Sequence, residues 1–289
     1  MQEKERLLEE VSDFLLKHDY KVKLVRCFDI VAFGKNVMLI KILKDANSLS
    51  KENALQLLGI SHFINASPII IAEYSGEKLL DYVVYERFGI KTITFETFKK
   101  IILNKEVFFR SSKAGITLVI NSEALRRNRI MLKMSLSDIS SFVGVSRAMA
   151  YEYERRDSYV TMQKAMRFYK LFGKDVFKPV NIDFSKNFDF NPELKSVYSR
   201  KYSNLGFEAF DVKTDFDVIA KKGKDIILTE IGDKRRLKSP LLSSIFSSFN
   251  FVIFKKKKPR KVPSMHEKEF FNLETSEQLI NFIKSFDRR

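Results

Sequence analysis

The sequence has 289 residues, which exceeds the usual size of one domain and predicts two or three domains. Hydrophobic residues make up 45% and charged residues 30%, ordinary values for a folded protein that exclude wholesale disorder. The 52 Lys and Arg residues against 36 Asp and Glu give a net charge of +16, which favours a polyanionic partner. No apolar run reaches the length of a membrane-spanning helix, and the mixed-charge N-terminus does not resemble a signal peptide. We therefore expect a cytoplasmic protein without a membrane partner.

The sequence lacks the residue patterns of metal sites and of the common nucleotide-binding loops. The single cysteine, Cys27, and three scattered histidines give no metal-ligand spacing. Neither of the common phosphate-binding loops, GxxxxGK[ST] and GxGxxG, occurs in the sequence. The sequence therefore predicts no metal and no cofactor.

A repeated pattern occupies the two ends of the chain. Residues 28–42 and 216–231 align as two β-branched, apolar runs around a short polar segment with a glycine, which is the pattern of a β-hairpin. An amphipathic helix and a strand precede each hairpin, and a helix and a strand follow it. The flanking elements are predicted at 4–16, 20–25, 50–66 and 69–73 in the first copy, and at 194–205, 207–211, 240–249 and 251–254 in the second. The order αβββαβ therefore predicts two related α/β domains, at 1–120 and 194–289.

The block between the two copies, residues 121–180, shows no strand pattern and is predicted to be helices joined by short turns. It holds 12 basic and 6 acidic side chains, and its net positive charge per residue is higher than that of the parts of the chain before and after it. Residues 181–193, which contain Pro192, are predicted to be a linker to the last domain.

Two helix starts follow each other closely in this middle block. Ser135, with Asp138 three residues later, is a capping pattern that begins one helix, and Gly144 ends it. Ser146 is a natural N-cap for a second helix that runs to Arg155. The first helix is expected to bury Ile139, Phe142 and Val143.

Residues 125–154 resemble the helix-turn-helix of the Cro and lambda-repressor-like family, whose pattern LRxxRxxxxxSxxxLAxxxGVSxxxIxxxE they follow closely. The resemblance implies that the second helix lies in the DNA major groove, with Ala150 and Tyr153 packed inward. It also implies base or nearby phosphate contacts from the outer face of that helix, and backbone contacts from the arginines before it. The candidate DNA-binding residues are Arg126, Arg127, Arg129, Ser135, Ser146, Arg147, Ala148, Met149, Tyr151, Glu152 and Arg155.

Over nearly its whole length, the chain is similar to archaeal proteins known as helix-turn-helix transcriptional regulators. The resemblance implies a multidomain α/β plus all-α fold, with a central lambda-repressor-like helical domain between two restriction-endonuclease-like domains. It implies double-stranded DNA as the partner. A homodimer is expected, because such proteins gain affinity from two half-sites one helical turn apart.

The αβββαβ copies also resemble the PD-(D/E)xK nuclease fold, in which two carboxylates hold a divalent ion and a lysine assists. Asp29 and Lys41 match this pattern, but Leu39 occupies the position of the second carboxylate. The second copy has Asp217 followed by Leu228-Thr229-Glu230, which also departs from the pattern. We therefore expect no catalytic residue and no enzyme activity, with the two aspartates holding their hairpins through backbone hydrogen bonds. A magnesium-dependent nuclease or resolvase is the alternative function.

Two further alternatives stay open at this point. The middle block could be a plain helical bundle with a solvated basic face, or a scaffold that meets RNA or an acidic protein. The basic run Lys255–Lys261 is a second candidate phosphate-facing surface, together with seven nearby cations. These cations are Lys221, Lys222, Lys224, Lys234, Arg235, Arg236 and Lys238.

Overall fold

The protein is described by a computed structural model that covers residues 2–25, 28–180, 190, 191, 193–233, 237 and 239–287. Within these residues it is a mixed α/β fold. Its helices are α1 (Gln2–Leu16), α2 (Lys51–Phe63), α3 (Phe95–Ile102), α4 (Ser122–Met131), α5 (Leu136–Val143), α6 (Arg147–Arg155), α7 (Met162–Phe172), α8 (Val197–Asn204), α9 (Ser239–Phe246), α10 (Glu267–Asn272) and α11 (Ser276–Asp287). Short 3-10 helices lie at Ala46–Ser48 and Gly173–Val176. No helix in the described ranges is both long and apolar enough to span a membrane.

The strands alternate with these helices along the chain. They are β1 (Lys21–Val25), β2 (Asp29–Phe33), β3 (Val37–Asp45), β4 (Ser67–Ser75), β5 (Glu77–Lys78), β6 (Val83–Arg87), β7 (Ile90–Ile93), β8 (Phe109–Ser112), β9 (Gly115–Ile120), β10 (Ser158–Thr161), β11 (Phe177–Lys178), β12 (Glu208–Asp211), β13 (Val218–Lys222), β14 (Asp225–Ile231), β15 (Phe249–Phe254) and β16 (Ser264–His266).

The predicted repeat is confirmed as an order of elements. The first copy runs α1, β1, β2, β3, α2 and β4, and the second runs α8, β12, β13, β14, α9 and β15. In both copies the first three strands pair antiparallel with their chain neighbours. The short elements β5, β16 and α10 were not predicted, because they are too short to show a hydrophobic period.

The chain divides into two compact units that are interleaved along the sequence. The first unit consists of Met1–Phe14, Lys41–Leu49 and Ile69–Asp183, and the second of Leu15–Ile40, Ser50–Pro68 and Phe184–Arg289. The division falls inside α1, inside β3 and inside β4. Of the predicted linker 181–193, only residues 190, 191 and 193 belong to the described part of the chain.

The sheet of the first unit supports the helices α4 to α7. β4 is parallel to β7, β6 is antiparallel to β7 and parallel to β8, and β8 is antiparallel to β9. Both β10 and β11 pair antiparallel with β9. The expectation that 121–180 is entirely helical is therefore wrong. The two strands within it are only four and two residues long, which is too short for an alternating pattern to show in the sequence.

The second unit has its own sheet and core. Its five strands follow the order β12, β13, β14, β15, β16, with parallel pairing of β14 to β15 and of β15 to β16. Helix α2 belongs to this unit and packs closely on the sheet. The Phe63 and Phe210 rings stack with centroids 6.5 Å apart, and a Cβ on Gly59 would come within 2.3 Å of the Phe210 ring. Glycine is therefore required where α2 approaches the sheet.

Candidate nucleic-acid interface

Helix α5 begins and ends as its sequence predicts. The Ser135 hydroxyl accepts the backbone N–H of Asp138 at 3.1 Å, and the Asp138 carboxylate accepts the backbone N–H of Ser135 at 2.7 Å. The Ser135 hydroxyl also donates to the Asp138 carboxylate at 2.7 Å, and this hydrogen bond together with that from the Ser135 N–H lowers the pKa of Asp138. At the other end Gly144 has φ 73°, a left-handed conformation that favours glycine, and its N–H donates to Ser140 O at 2.9 Å. The predicted capping box and glycine stop are both confirmed.

Helix α6 starts after a connection of three residues, 144–146. Its N-cap is Ser146, whose hydroxyl accepts the backbone N–H of Met149 at 3.1 Å, as predicted. The inner side of the helix is formed by Ala150 and Tyr153, which are fully buried. The Tyr153 ring meets Phe168 of α7 edge to face, with centroids 5.6 Å apart. The inward direction of α6 is therefore fixed by packing against α7.

The opposite side of α6 is exposed to solvent. Arg147, Ala148, Met149 and Tyr151 are all exposed, with 54% of Tyr151 accessible. For these residues the resemblance to the helix-turn-helix family implies contacts with bases or adjacent phosphates. A continuous outer face that combines a cation, a small side chain, a thioether and an aromatic ring is therefore available along the first turns of the helix.

The end of α6 carries a small charge network. Glu152 is partly buried and lies 3.5 Å from Arg155 Nη1 and 3.2 Å from Arg156 Nε. Both arginines are largely exposed, at 68% and 75%. Surface pairs of this kind contribute little to stability, so both guanidinium groups can leave Glu152 at low cost.

The three candidate arginines of α4 do not share one environment. Arg126 and Arg127 are exposed and have no ion-pair partner among the described residues. Arg129 is different, because its guanidinium forms two hydrogen bonds with the Glu154 carboxylate of α6, at 2.5 and 3.0 Å. A third hydrogen bond goes from Arg129 to Met134 O at 2.9 Å. The hydrogen bond to Glu154 raises the pKa of Arg129.

The position of Arg129 differs from the expected contact with the DNA backbone. Its side chain is only 18% exposed and that of Glu154 only 7%, so the pair is shielded from solvent. Arg129 therefore fixes the distance and angle between α4 and α6. Local spacing could not predict this contact, because its two partners are 25 residues apart in the sequence.

Two more features of this region were missed. Phe142 was expected to be buried and is 43% exposed, because the buried side of α5 follows Ile139 and Val143, four residues apart. Arg167 of α7 donates from Nη1 to Val143 O at 2.8 Å and so braces the C-terminus of α5. No local pattern could show that contact.

The carboxylates of the nuclease-like pattern are used in hydrogen bonds of the fold. The Asp217 carboxylate accepts the N–H of Ile231 at 2.7 Å. Glu230 is buried and accepts both the N–H and the hydroxyl of Ser239, each at 2.7 Å, at the start of α9. In the first copy, Leu39 is fully buried where the family has its second carboxylate. Within the described ranges, no cluster of three or more His, Cys, Asp or Glu side chains could hold a metal ion.

The basic run Lys255–Lys261 forms an exposed segment after β15. The Asp233 carboxylate accepts the backbone N–H groups of its first three residues, 255 to 257, at 3.0 to 3.1 Å. These hydrogen bonds hold the pKa of Asp233 below its usual value. Four of the neighbouring cations lie outside the described residues: Lys234, Arg235, Arg236 and Lys238.

Comparison with protein families gives a match at the N-terminal end. Residues 4–107 match the family model described as "PD-(D/E)XK superfamily domain". This match covers α1 to α3 and stops before α4. No solved structure matches the chain.

Curated relatives match over a much longer part of the chain. A protein of Methanocaldococcus jannaschii named "Putative HTH-type transcriptional regulatory protein" is 29% identical over 311 aligned positions, which cover 99% of this chain and 98% of the relative. Proteins with the same descriptive name occur in Sulfurisphaera tokodaii, at 28% identity over 95% of this chain and 98% of the relative, and in Aeropyrum pernix, at 32% identity over 65% and 59%. The chain is thus similar, over nearly its full length, to archaeal proteins that carry this name.

Proposed function

We propose that the chain is a sequence-specific DNA-binding transcription regulator, in which α5 and α6 act as a helix-turn-helix and α6 enters the major groove. The observation that carries the proposal is the contrast between the two sides of α6. On one side Ala150 and Tyr153 are buried in the core, and on the other side the side chains from Arg147 onward are exposed to solvent. The names of the archaeal relatives support the same conclusion.

The roles of the side chains follow from their positions. Arg147 is the first residue of α6, where a guanidinium can reach the O6 and N7 atoms of a guanine. Met149 and Tyr151 offer apolar contact to a thymine methyl group. Arg126 and Arg127 on α4 would contact phosphates, which position the protein without reading the sequence.

The remaining parts of the chain receive supporting roles in this proposal. The α/β regions 1–120 and 194–289 would be restriction-endonuclease-like domains without catalysis, used for dimerisation, sensing or extra DNA contact. The domain limits 121–180 for the DNA-binding part, and the homodimer, are part of the same proposal. A dimer would read two half-sites about 34–36 Å apart.

The proposal is tested first by selecting bound fragments from random duplex DNA with the full chain. A recurrent site is expected, and its half-site spacing reports the stoichiometry. Arg147→Ala should then cost about 1–3 kcal/mol at one base position and relax the preference there. Arg126→Ala should weaken binding to all sequences alike and lower the slope of log affinity against log salt by about one.

The matched control is Lys170→Gln, an exposed cation on the outer side of α7. It should leave the base preference unchanged. The regulator proposal is wrong if no duplex is enriched, or if Arg147→Ala and Lys170→Gln behave alike. Stronger binding of the full chain to RNA than to duplex DNA would favour the scaffold alternative instead.

A magnesium-dependent nuclease is the second candidate, because the PD-(D/E)XK match spans both Asp29 and Lys41. The test is incubation of labelled duplex and branched DNA with Mg²⁺. Cleavage that Asp29→Ala abolishes would establish the nuclease. If the protein binds the DNA but leaves it intact, the nuclease hypothesis is refuted. The buried Leu39, at the position of the second carboxylate, favours this outcome.

A further inference from the structure

A cavity of about 240 Å³ lies beside the sheet of the first unit. Its wall combines apolar and aromatic groups with a ring of charged side chains. The apolar part comes from Val84, Val119 and Val180, and the aromatic part from Tyr85 and Tyr159. Such a mixture is typical of sites for small organic ligands, in which apolar walls hold the body and a few polar groups fix its orientation.

The charge of the lining is strongly positive. Three cations, Lys91, Arg110 and Lys178, face a single lining carboxylate, Glu86. Glu86 is already paired with Lys91 at 2.7 Å. The lining therefore has two more cations than carboxylates, and one of the two, Lys178, pairs with Asp157 outside the lining.

Arg110 is the most informative of these cations. Its Nη1 donates to the Tyr159 hydroxyl at 2.8 Å, and the guanidinium lies 5.3 Å from the centre of the same ring. Among the described residues Arg110 forms no ion pair, although the Glu86 carboxylate, which pairs with Lys91, is near enough for Arg110 to help lower its pKa. A planar guanidinium that is held in one orientation, with donors left over, is suited to bidentate recognition of a carboxylate or phosphate.

Lys178 connects the cavity to the helices of the candidate interface. Its Nζ pairs with Asp157, and this pairing lowers the pKa of Asp157. The other oxygen of Asp157 accepts the N–H and the hydroxyl of Ser122, both at 3.1 Å. Ser122 is the first residue of α4, and Asp157 comes two residues after the end of α6. One carboxylate therefore joins the two helices to a cavity cation.

We propose that this cavity binds a small organic oxyanion, a carboxylate or phosphate monoester that also carries an apolar group. The volume equals that of about eight liquid water molecules, which corresponds to a ligand of roughly ten non-hydrogen atoms. Arg110 binds the oxyanion, and the anion competes with Asp157 for Lys178. Loss of that ion pair loosens the hold on the start of α4. Only this last consequence, for DNA affinity, rests on the proposed function.

The binding is tested by equilibrium dialysis of the full chain against phenyl phosphate, which combines an oxyanion with an apolar ring. One site per chain is expected. Arg110→Gln should weaken binding at least tenfold, and Val119→Phe, which fills the cavity without changing its charge, should weaken it similarly. Lys170→Gln removes an exposed cation of α7 and is the control for non-specific electrostatic attraction of the anion to a basic protein. It should not change the affinity for phenyl phosphate. Thermal unfolding of each variant confirms that it is folded.

A second measurement separates this proposal from the function proposed above. Affinity for the selected DNA site is measured with and without phenyl phosphate, at an ionic strength matched with KCl. The expected result is a change in DNA affinity that Arg110→Gln removes. The ligand site is refuted if all three variants bind phenyl phosphate like the wild type, or if Lys170→Gln loses as much as Arg110→Gln. If the chain binds phenyl phosphate specifically but binds no DNA, the ligand site is supported and only the proposed regulator function is refuted.

Discussion

The shielded ion pair between Arg129 and Glu154 gives the sharpest prediction about stability. In Arg129→Met the new side chain keeps most of the packing of the stem but leaves the Glu154 carboxylate, 7% exposed, without its two hydrogen bonds. Removing one partner of a fully buried pair costs about 3–5 kcal/mol. Because Arg129 is 18% exposed, water can reach part of the site, and we expect the lower end, about 3 kcal/mol.

A double-mutant cycle separates the ion pair from the other effects of each substitution. Glu154→Leu should cost less than Arg129→Met, about 1–2 kcal/mol, because the remaining arginine can turn its charge toward solvent. The double variant Arg129→Met/Glu154→Leu removes both charges and should cost less than the sum of the two single variants. A coupling of about 2–3 kcal/mol is therefore expected.

The assay is urea unfolding, followed by hydrogen exchange of the amides in α4 and α6, because urea unfolding alone does not show which helices lose stability. The exchange measurement assigns the loss of stability to these two helices. If the single-variant costs add to within about 0.5 kcal/mol, the pair does not couple the helices and the reasoning is refuted. Unchanged protection of α4 in Arg129→Met would lead to the same conclusion.

Three further predictions concern single positions. Gly144→Ala should lower the free energy of unfolding by about 2 kcal/mol in urea unfolding, because an L residue is strained at φ 73° and its Cβ would come 2.2 Å from Arg167 Nη1. Gly144→Asn should lower it less, because asparagine adopts the left-handed conformation more readily. The Asp211 carboxylate is partly buried, but four hydrogen bonds at the start of α8 lower its pKa. Its contribution to the free energy of unfolding is therefore complete above the ordinary Asp pKa of about 3.9, and it is lost as the pH falls through the lowered pKa. Asp211→Asn should therefore flatten the acid side of a plot of urea midpoint against pH, and an unchanged slope would contradict this. Burial and the Glu267 carboxylate raise the pKa of Tyr198 to about 12. Tyr198→Phe should therefore remove one step at high pH from an absorbance titration of tyrosinate and leave the steps at lower pH in place.

Local signals in the sequence were sufficient for the starts and ends of the key helices. Ser135, Gly144 and Ser146 act on backbone groups within a few residues of themselves, so their roles could be predicted without the fold. The two hairpins were predictable for the same reason, because β-branched, apolar runs and a turn glycine are local signals. The burial of Ala150 and Tyr153 was implied by the resemblance to the Cro and lambda-repressor-like helix-turn-helix.

The parts that could not be predicted depend on residues far apart in the chain. The contact of Arg129 with Glu154 spans 25 residues, and that of Arg167 with Val143 spans 24. An arginine in a helix looks the same in the sequence whether it is exposed or paired. The cavity around Arg110 collects residues from six strands, so no spacing rule could have indicated it.

The interleaving of the two compact units also limits how the protein can be made and divided. On the ribosome, every segment of the first unit has been synthesised once residue 183 has emerged, whereas the second unit holds segments 15–40 and 50–68 that must wait for the C-terminal residues. A protease cut between residues 181 and 193 would leave those two segments on the wrong fragment. Gene truncation at that point therefore yields an incomplete second unit, and the C-terminal repeat alone would lack segments 15–40 and 50–68 of that unit.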